Sequence, residues 1–237
     1  MVNAIFISVR TGSTRLPNKS ILKIKNKHTI EYVIDSVKKS KYADKIVLCT
    51  TKNAEDVVLC SIAKENGIEY YCGDEHDKLK RWYSAAKKFN VEFFVTVDGD
   101  DLFYDSQLSD MCFEQAENGD VINGQGLYND TYGYKTTTIK TILDLAKNKV
   151  IEPHEVTTYI IDTELKVSEL ENVPDIFKKK NIRMTLDYQE DFNFFKVIIE
   201  NINNNFTFND VLSYITDNKS VIDINYFREN DWKQNQL

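Results

Sequence analysis

Residues 4–19 read Ala-Ile-Phe-Ile-Ser-Val-Arg-Thr-Gly-Ser-Thr-Arg-Leu-Pro-Asn-Lys. Residues 4–9 are a short apolar run of the kind that forms a buried strand. The run stops at Arg10, and a polar loop with a Gly and a Pro follows. Ile30, Val33, Ile34 and Val37 then recur at helical spacing, with Thr29 as the expected N-cap. The unit repeats. Residues 46–49 are apolar again. The helix after them has Asn53 as its expected cap and Ala54, Val57, Val58, Ser61 and Ile62 on one face. Gly67 stands where a helix ends in a left-handed residue. Residues 68–71 form a third strand, and Leu79, Trp82, Tyr83 and Ala86 form a third helical stripe. Residues 93–97 form a fourth strand, and Leu108, Met111 and Cys112 mark a further helix. Alternating apolar strands and helices predict an α/β chain with a mostly parallel sheet covered on both faces, in three layers.

After about Asp130 the pattern loosens. Residues 132–138 read as an extended excursion, residues 166–172 as an edge strand and residues 182–186 as a short strand. A helix with Phe192, Phe195 and Ile199 inward follows the last of these. A final helix contains Leu212 and Ile215. The 237 residues suit one domain spanning 1–237. Within it, the stretch 130–175 is an excursion that would shape an acceptor pocket or a dimer contact.

Ligands of open α/β sheets bind beyond the carboxyl ends of the strands. The first strand is followed by three cations within ten residues, Arg10, Arg15 and Lys19. Gly12 lets the backbone approach a ligand, Ser13 and Thr14 add hydroxyls, and the loop amides can converge on an anion. Such a loop is either a polyphosphate cradle or a solvated basic turn. It is not a Walker A loop, because GxxxxGK[ST] is absent. The fourth strand is followed by Asp98-Gly99-Asp100-Asp101. Hard oxygen ligands of this kind suit Mg²⁺, and the same residues suit an Asp-rich turn. An EF-hand is excluded, since Ser109 stands where its bidentate Glu belongs. Asp187, with Glu190 and Asp191 behind it, is either a second metal ligand or a helix cap. Cradle and carboxylates at one sheet edge suit phosphoryl or nucleotidyl transfer, which needs charge neutralisation more than a reactive side chain.

The net charge of −7 argues against sequence-independent nucleic-acid binding. No run approaches the ~20 apolar residues of a membrane helix, and residues 4–9 are too short for a signal-peptide core. The four cysteines lack metal spacing and read as buried thiols of a reducing compartment, so the expected setting is cytoplasmic.

The segment Arg10-x-x-Ser13-x-Arg15-Leu16-Pro17-x-Lys19 closely resembles the N-terminal signature of the cytidylyltransferase family. That family includes the CMP-Kdo and CMP-sialic acid synthetases and a spore-coat polysaccharide branch. Gly99-Asp100 resembles the family's second motif, and Asp187 followed by Glu190-Asp191 its third. Gly73-Asp74-Glu75 with Asp77, Leu79, Arg81 and Tyr83, and the segment from Val156 to Ile160, resemble the spore-coat branch. His154-Glu155 reverses the acid–histidine order usual there, and its histidine reads as a loop residue. His28 and His76 read as surface residues.

The resemblance implies a nucleotide-diphospho-sugar transferase (GT-A-like) fold and transfer of CMP from CTP, with Mg²⁺, to a small acidic or phosphorylated acceptor. Pyrophosphate is released, the setting is cell-surface polysaccharide or capsule biosynthesis, and the protein is a homodimer. It further implies Arg10, Lys19 and Asp100 as catalytic residues and Asp100 and Asp187 as metal ligands. The nucleotide contacts would be Ser8, Val9, Arg10, Gly12, Ser13, Arg15, Lys19, Asp77, Arg81 and Asp98. The alternative is a GT-A glycosyltransferase with a nucleotide-sugar donor, for which Asp98-Gly99-Asp100 is an Asp-x-Asp metal motif. The residues after Asp120, among them Gln125, Tyr128, Tyr132, Tyr134 and Lys135, would shape the acceptor pocket.

Overall fold

The computed structural model describes residues 1–147, 149–151, 156, 163–178 and 180–234. Strand β1 (Asn3–Ser8) lies inside the sheet, between β4 and β6. A small antiparallel ribbon, β2 (Lys23–Ile24) and β3 (Lys27–His28), leads into helix α1 (Thr29–Val37). Then come β4 (Lys45–Thr51), α2 (Val57–Glu65), β5 (Glu69–Gly73), α3 (Lys78–Phe89), β6 (Phe93–Asp98) and α4 (Ser106–Glu114). The second half holds β7 (Val121–Gly124), β8 (Thr131–Lys135), α5 (Thr136–Ala146) and β9 (Val167–Glu169). It ends in α6 (Gln189–Asn201), α7 (Phe208–Asp217) and α8 (Arg228–Gln234).

The sheet order is β5-β4-β1-β6-β8-β7-β9. Only the pairings of β8, with β6 and with β7, are antiparallel. Alternate side chains of each central strand enter opposite cores, as the two-residue period requires. Ile5, Ile7, Leu48, Val95 and Val97 join one core under α1, α2, α4, α6 and α7. Ala4, Phe6, Val47, Cys49 and Phe94 join the other under α3 and α5. The result is three layers with a mostly parallel sheet, as the sequence predicts.

Four local expectations are corrected. Thr29 is the first residue of α1 and not its cap. His28 holds the cap position, its N–H donates to Glu31 Oε2 at 2.7 Å, and Thr29 Oγ1 donates to the Lys19 carbonyl at 2.5 Å. The inward face of α2 is Leu59, Cys60, Ile62 and Ala63. Ala54, Val57 and Ser61 are exposed, because residues 54–56 form a 3-10 turn and the α-helix starts only at Val57. Residues 131–135 are no excursion. They are β8, inserted beside β6, and α5 starts at Thr136. The alternation at 182–186 does not form a strand. Its backbone is tied to the sheet edge by Leu186 N–H donating to the Asp100 carbonyl at 3.1 Å. His154, Glu155 and residues 157–160 lie outside the described residues.

The turn at Gly67 (φ +66) and the edge strand β9 fall where expected. Among the described residues, no helix is long and apolar enough to cross a membrane.

Candidate active site

The chain runs from β1 outward to β4 and β5, then returns to place β6 on the other side of β1. Ser8 and Asp98 are register partners there, so the loops after β1 and β6 diverge from one point. A sheet of this kind opens its ligand crevice where the strand order reverses.

The β1 loop is built by short-range bonds. Thr11 N–H and Oγ1 both donate to Asp56 Oδ1, at 2.8 and 2.7 Å. Ser13 N–H donates to the Thr11 carbonyl at 2.8 Å, and Leu16 is buried. Asn18 takes the left-handed conformation (φ 59), at low cost for Asn, and starts a 3-10 turn that aims Lys19 back at the sheet. Burial tends to raise the Asp56 carboxyl, but the bonds from Thr51 and Thr11 hold it below its usual range. Asp56→Ala is therefore expected to leave the Thr11 donors unpaired. It should cost about 1–3 kcal/mol and raise the KM for nucleotide. Urea melts and steady-state kinetics check both.

The β6 loop needs Gly99. A Cβ there would meet Val9 Cβ at 2.7 Å and Ile30 Cδ1 at 3.1 Å, so the two loops pack through it. Gly99→Ala is expected to cost about 1–3 kcal/mol by overpacking, read as a lowered Tm.

Three cations and two carboxylates meet where these loops converge. Lys19 Nζ lies 2.5 Å from Asp100 Oδ2 and 2.9 Å from Asp187 Oδ1. Arg15 donates to Asp187 Oδ1 at 2.7 Å, and Arg183 donates to Asp187 Oδ2 at 3.2 Å. Burial disfavours the Lys19 charge, but Asp100 and Asp187 outweigh it and raise its pKa. Burial pushes Asp187 up, yet Lys19, Arg15 and Arg183 together hold it below the usual carboxylate range. Asp100 goes the other way. Burial raises it, the charges of Asp98 and Asp187 add to that, and Lys19 only partly offsets them. Asp101 is raised further, by burial and by Asp100 and Asp98. The cluster is short of positive charge on its Asp100–Asp101 side.

Two cavities flank this cluster. One, of about 690 Å³, is lined by Ser8, Val9, Arg10, Gly12, Ser13, Arg15, Lys19 and Arg81, with Asp98 and Asp100 at its edge. The other, of about 370 Å³, is lined by Trp82, Tyr128, Tyr132, Tyr134, Glu229 and Trp232 among others. Arg15, Lys78, Asp98 and Asp100 line both.

The structure brings together all the sequence-derived site residues but one. Asp77 caps α3, accepting from Lys80 N–H at 2.8 Å, and lines neither cavity. Arg81 lines the first cavity while its guanidinium donates to the Asp74 carbonyl. The Ser8 hydroxyl accepts from Trp82 Nε1 at 2.7 Å. Of the residues after Asp120, Tyr128, Tyr132 and Tyr134 line the second cavity, while Lys135 pairs with Asp120 at 3.3 Å.

Sequence reasoning passed over Lys78, which pairs with Asp98 at 2.7 Å on the wall common to both cavities. Arg183 stands at the head of the third motif, Arg183-Met-Thr-Leu-Asp187, but was given no role; it is 1% exposed and bonds Asp187, Asp191 and Glu229. Asp191 does more than serve a helix end, since it also accepts from the Asp187 and Tyr188 N–H groups.

A mostly parallel sheet with a cation-lined cavity and an aromatic cavity meeting at a carboxylate pair is the architecture of the nucleotide-diphospho-sugar transferase fold and suits nucleotidyl transfer. The chain belongs to the cytidylyltransferase family, whose model matches residues 4–223. It is 31% identical over 194 residues to an uncharacterized protein of Methanocaldococcus jannaschii, covering 78% of each chain. It is 23% identical over 205 residues to the spore coat polysaccharide biosynthesis protein SpsF of Bacillus subtilis, covering 82% of this chain and 85% of that one. A solved cytidylyltransferase from Leptospira borgpetersenii matches with a TM-score of 0.80 at 24% identity, over 94% of this chain and 97% of that one. The chain is thus an enzyme of CTP-using nucleotidyl transfer.

Proposed function

We propose that this enzyme transfers CMP from CTP to a small acidic or phosphorylated acceptor, releases pyrophosphate and requires Mg²⁺. The observation that carries the reading is the pair of cavities sharing Arg15, Lys78, Asp98 and Asp100. A donor and an acceptor seated in them meet at that wall. The larger cavity takes CTP, with Arg10, Arg15 and Lys19 facing its phosphates and the Ser8 and Val9 backbone near the base. Arginine supplies forked contacts and lysine a mobile charge. The acceptor oxygen bonds to the α-phosphorus as the bond to the bridging oxygen breaks, and pyrophosphate leaves with that electron pair. Where the acceptor oxygen carries a proton, Asp98 is the carboxylate at the junction that can take it.

Asp100 and Asp187 fit a hard divalent cation. Their oxygens already converge on one ammonium, Lys19, whose charge only partly offsets the burial and neighbouring carboxylates that raise Asp100. Magnesium takes one or two protein carboxylates and fills the rest with phosphate oxygens and water. Asp100 and Asp187 would be the protein's share of its ligands. When bound, the ion supplies charge neutralisation at the transferred phosphate. Lys19 is then free to turn to the triphosphate.

Lys19→Ala is expected to raise the CTP KM and lower kcat/KM by about 10²-fold, and EDTA is expected to abolish turnover. Unchanged kinetics in the variant would make the loop an ordinary turn, and turnover in EDTA would remove the metal. Likeness to the spore-coat relative supports a place in cell-surface polysaccharide synthesis; the proposed setting is the cytoplasm and the proposed working form a homodimer. No observation favours the glycosyltransferase reading once the family is shown.

A further inference from the structure

Helix α8 lies beyond residue 223, where the family match ends, yet it faces the site. Glu229 and Trp232 line the aromatic cavity. Two anchors hold them there. Arg228 grips Glu190 with two of its nitrogens, at 3.1 and 2.8 Å, and its guanidinium lies 5.0 Å from the Tyr188 ring centre. Arg183 bonds Glu229 at 3.3 Å and lies 5.7 Å from the Trp232 ring centre.

The cavity is polar in one direction. The cations Arg15 and Lys78 sit on the wall adjoining the nucleotide cavity. Arg183, its other cation, is committed to Asp187, Asp191 and Glu229. Away from the junction, the lining turns to carboxylates and rings. An anionic acceptor group is therefore accommodated only at the junction, where the chemistry occurs. Glu229, held across Arg183 from Asp187, can accept hydrogen bonds, and the Trp232 indole can cover an apolar or cationic surface.

We infer that Glu229 and Trp232 are specificity residues that select acceptors with a hydrogen-bond-donating end, hydroxyl or ammonium, opposite the reacting anion. This rests on the assignment of the aromatic cavity to the acceptor in the proposed function. A buried polar group built to pair a donor discriminates strongly against a ligand that lacks one.

The chain has two tryptophans, Trp82 and Trp232, and both line this cavity, so Trp82→Phe leaves Trp232 as a sole local reporter. With CTP and Mg²⁺ present, emission of that variant is titrated with O-phosphoethanolamine, glycerol 3-phosphate and propyl phosphate. The first two carry a donor end and the third does not. The inference predicts a saturable response to at least one donor-bearing probe, with propyl phosphate binding at least ~10-fold more weakly. It also predicts that Glu229→Gln, in the same background, narrows that gap while the CTP affinity measured by calorimetry stays within twofold. Equal binding of all three probes, no response to any of them with CTP bound, or a gap unchanged by Glu229→Gln would overturn it. Failure of the full chain to bind CTP at all would instead strike the proposed function.

Discussion

Asp100→Asn is expected to lower pyrophosphate release by about 10²–10³-fold while the protein stays folded and its Tm stays the same or rises. The two halves of this result have one cause. Asp100 is held above the usual carboxylate range by burial and by its neighbours Asp98 and Asp187, with Lys19 only partly compensating. An acid whose folded pKa is raised binds its proton more tightly in the native state. Its ionised form therefore costs stability as pH rises through that pKa. The isosteric amide removes this cost and keeps the shape. It also removes the charge that the proposed metal needs. Lys19 retains its partner Asp187 at 2.9 Å, so the loop stays anchored. Thermal melts and CTP turnover on the same preparation check the prediction. Lost activity with a collapsed Tm would make Asp100 structural, and full activity would remove it from the reaction.

Arg183→Met is expected to cost about 3–5 kcal/mol of folding stability, the second large effect. Arg183 is 1% exposed and Asp191 is 0% exposed. The guanidinium bonds Asp191 through two nitrogens at 2.9 and 3.1 Å, and it also bonds Asp187 and Glu229. Asn225 closes the network, donating to the Arg183 carbonyl at 3.1 Å and to Asp191 at 2.9 Å. Removal of one member leaves buried carboxylates uncompensated, which costs far more than the net worth of the pairing. The variant should also become less sensitive to acid. Asp187 is held low by Lys19, Arg15 and Arg183, so its contribution is present above its unfolded pKa of about 4 and is lost as pH falls through the lower folded value. With Arg183 gone the folded pKa moves up, and less stability is lost on acidification. Urea melts at pH 7 and at low pH test both statements. A loss under ~1 kcal/mol at pH 7 would show that the network is not what holds this corner.

The sheet was legible because β1, β4 and β6 are largely buried and carry short apolar runs. The helix faces were readable from spacing, except where the 3-10 turn at residues 54–56 displaced the start of α2. β8 escaped because Thr131, Tyr132 and Gly133 lack an apolar run. Its place in the sheet is fixed instead by long-range pairing with Phe93 to Thr96 and by Gly133, whose added Cβ would meet the Phe93 ring at 2.5 Å. Residues 182–186 read as a short strand, yet Arg183, Met184 and Leu186 are buried without pairing into the sheet.

The cradle residues could be found because they are consecutive and charged. Lys78 and Arg183 could not be assigned roles, since each acquires its meaning from a partner, Asp98 or Asp191, that only the fold brings near. Glu229 and Trp232 carried no local signal at all. They join the site through Arg228 and Arg183.

The central claim is CTP-dependent nucleotidyl transfer across the wall common to the two cavities. Its most direct test is pyrophosphate release from each of the four nucleoside triphosphates with Mg²⁺, against acidic sugars, sugar phosphates and small phosphorylated acids. The account predicts release with CTP, dependent on one acceptor class, and a CMP adduct of that acceptor by mass spectrometry. Release that is independent of any acceptor, or a preference for another triphosphate, would contradict it.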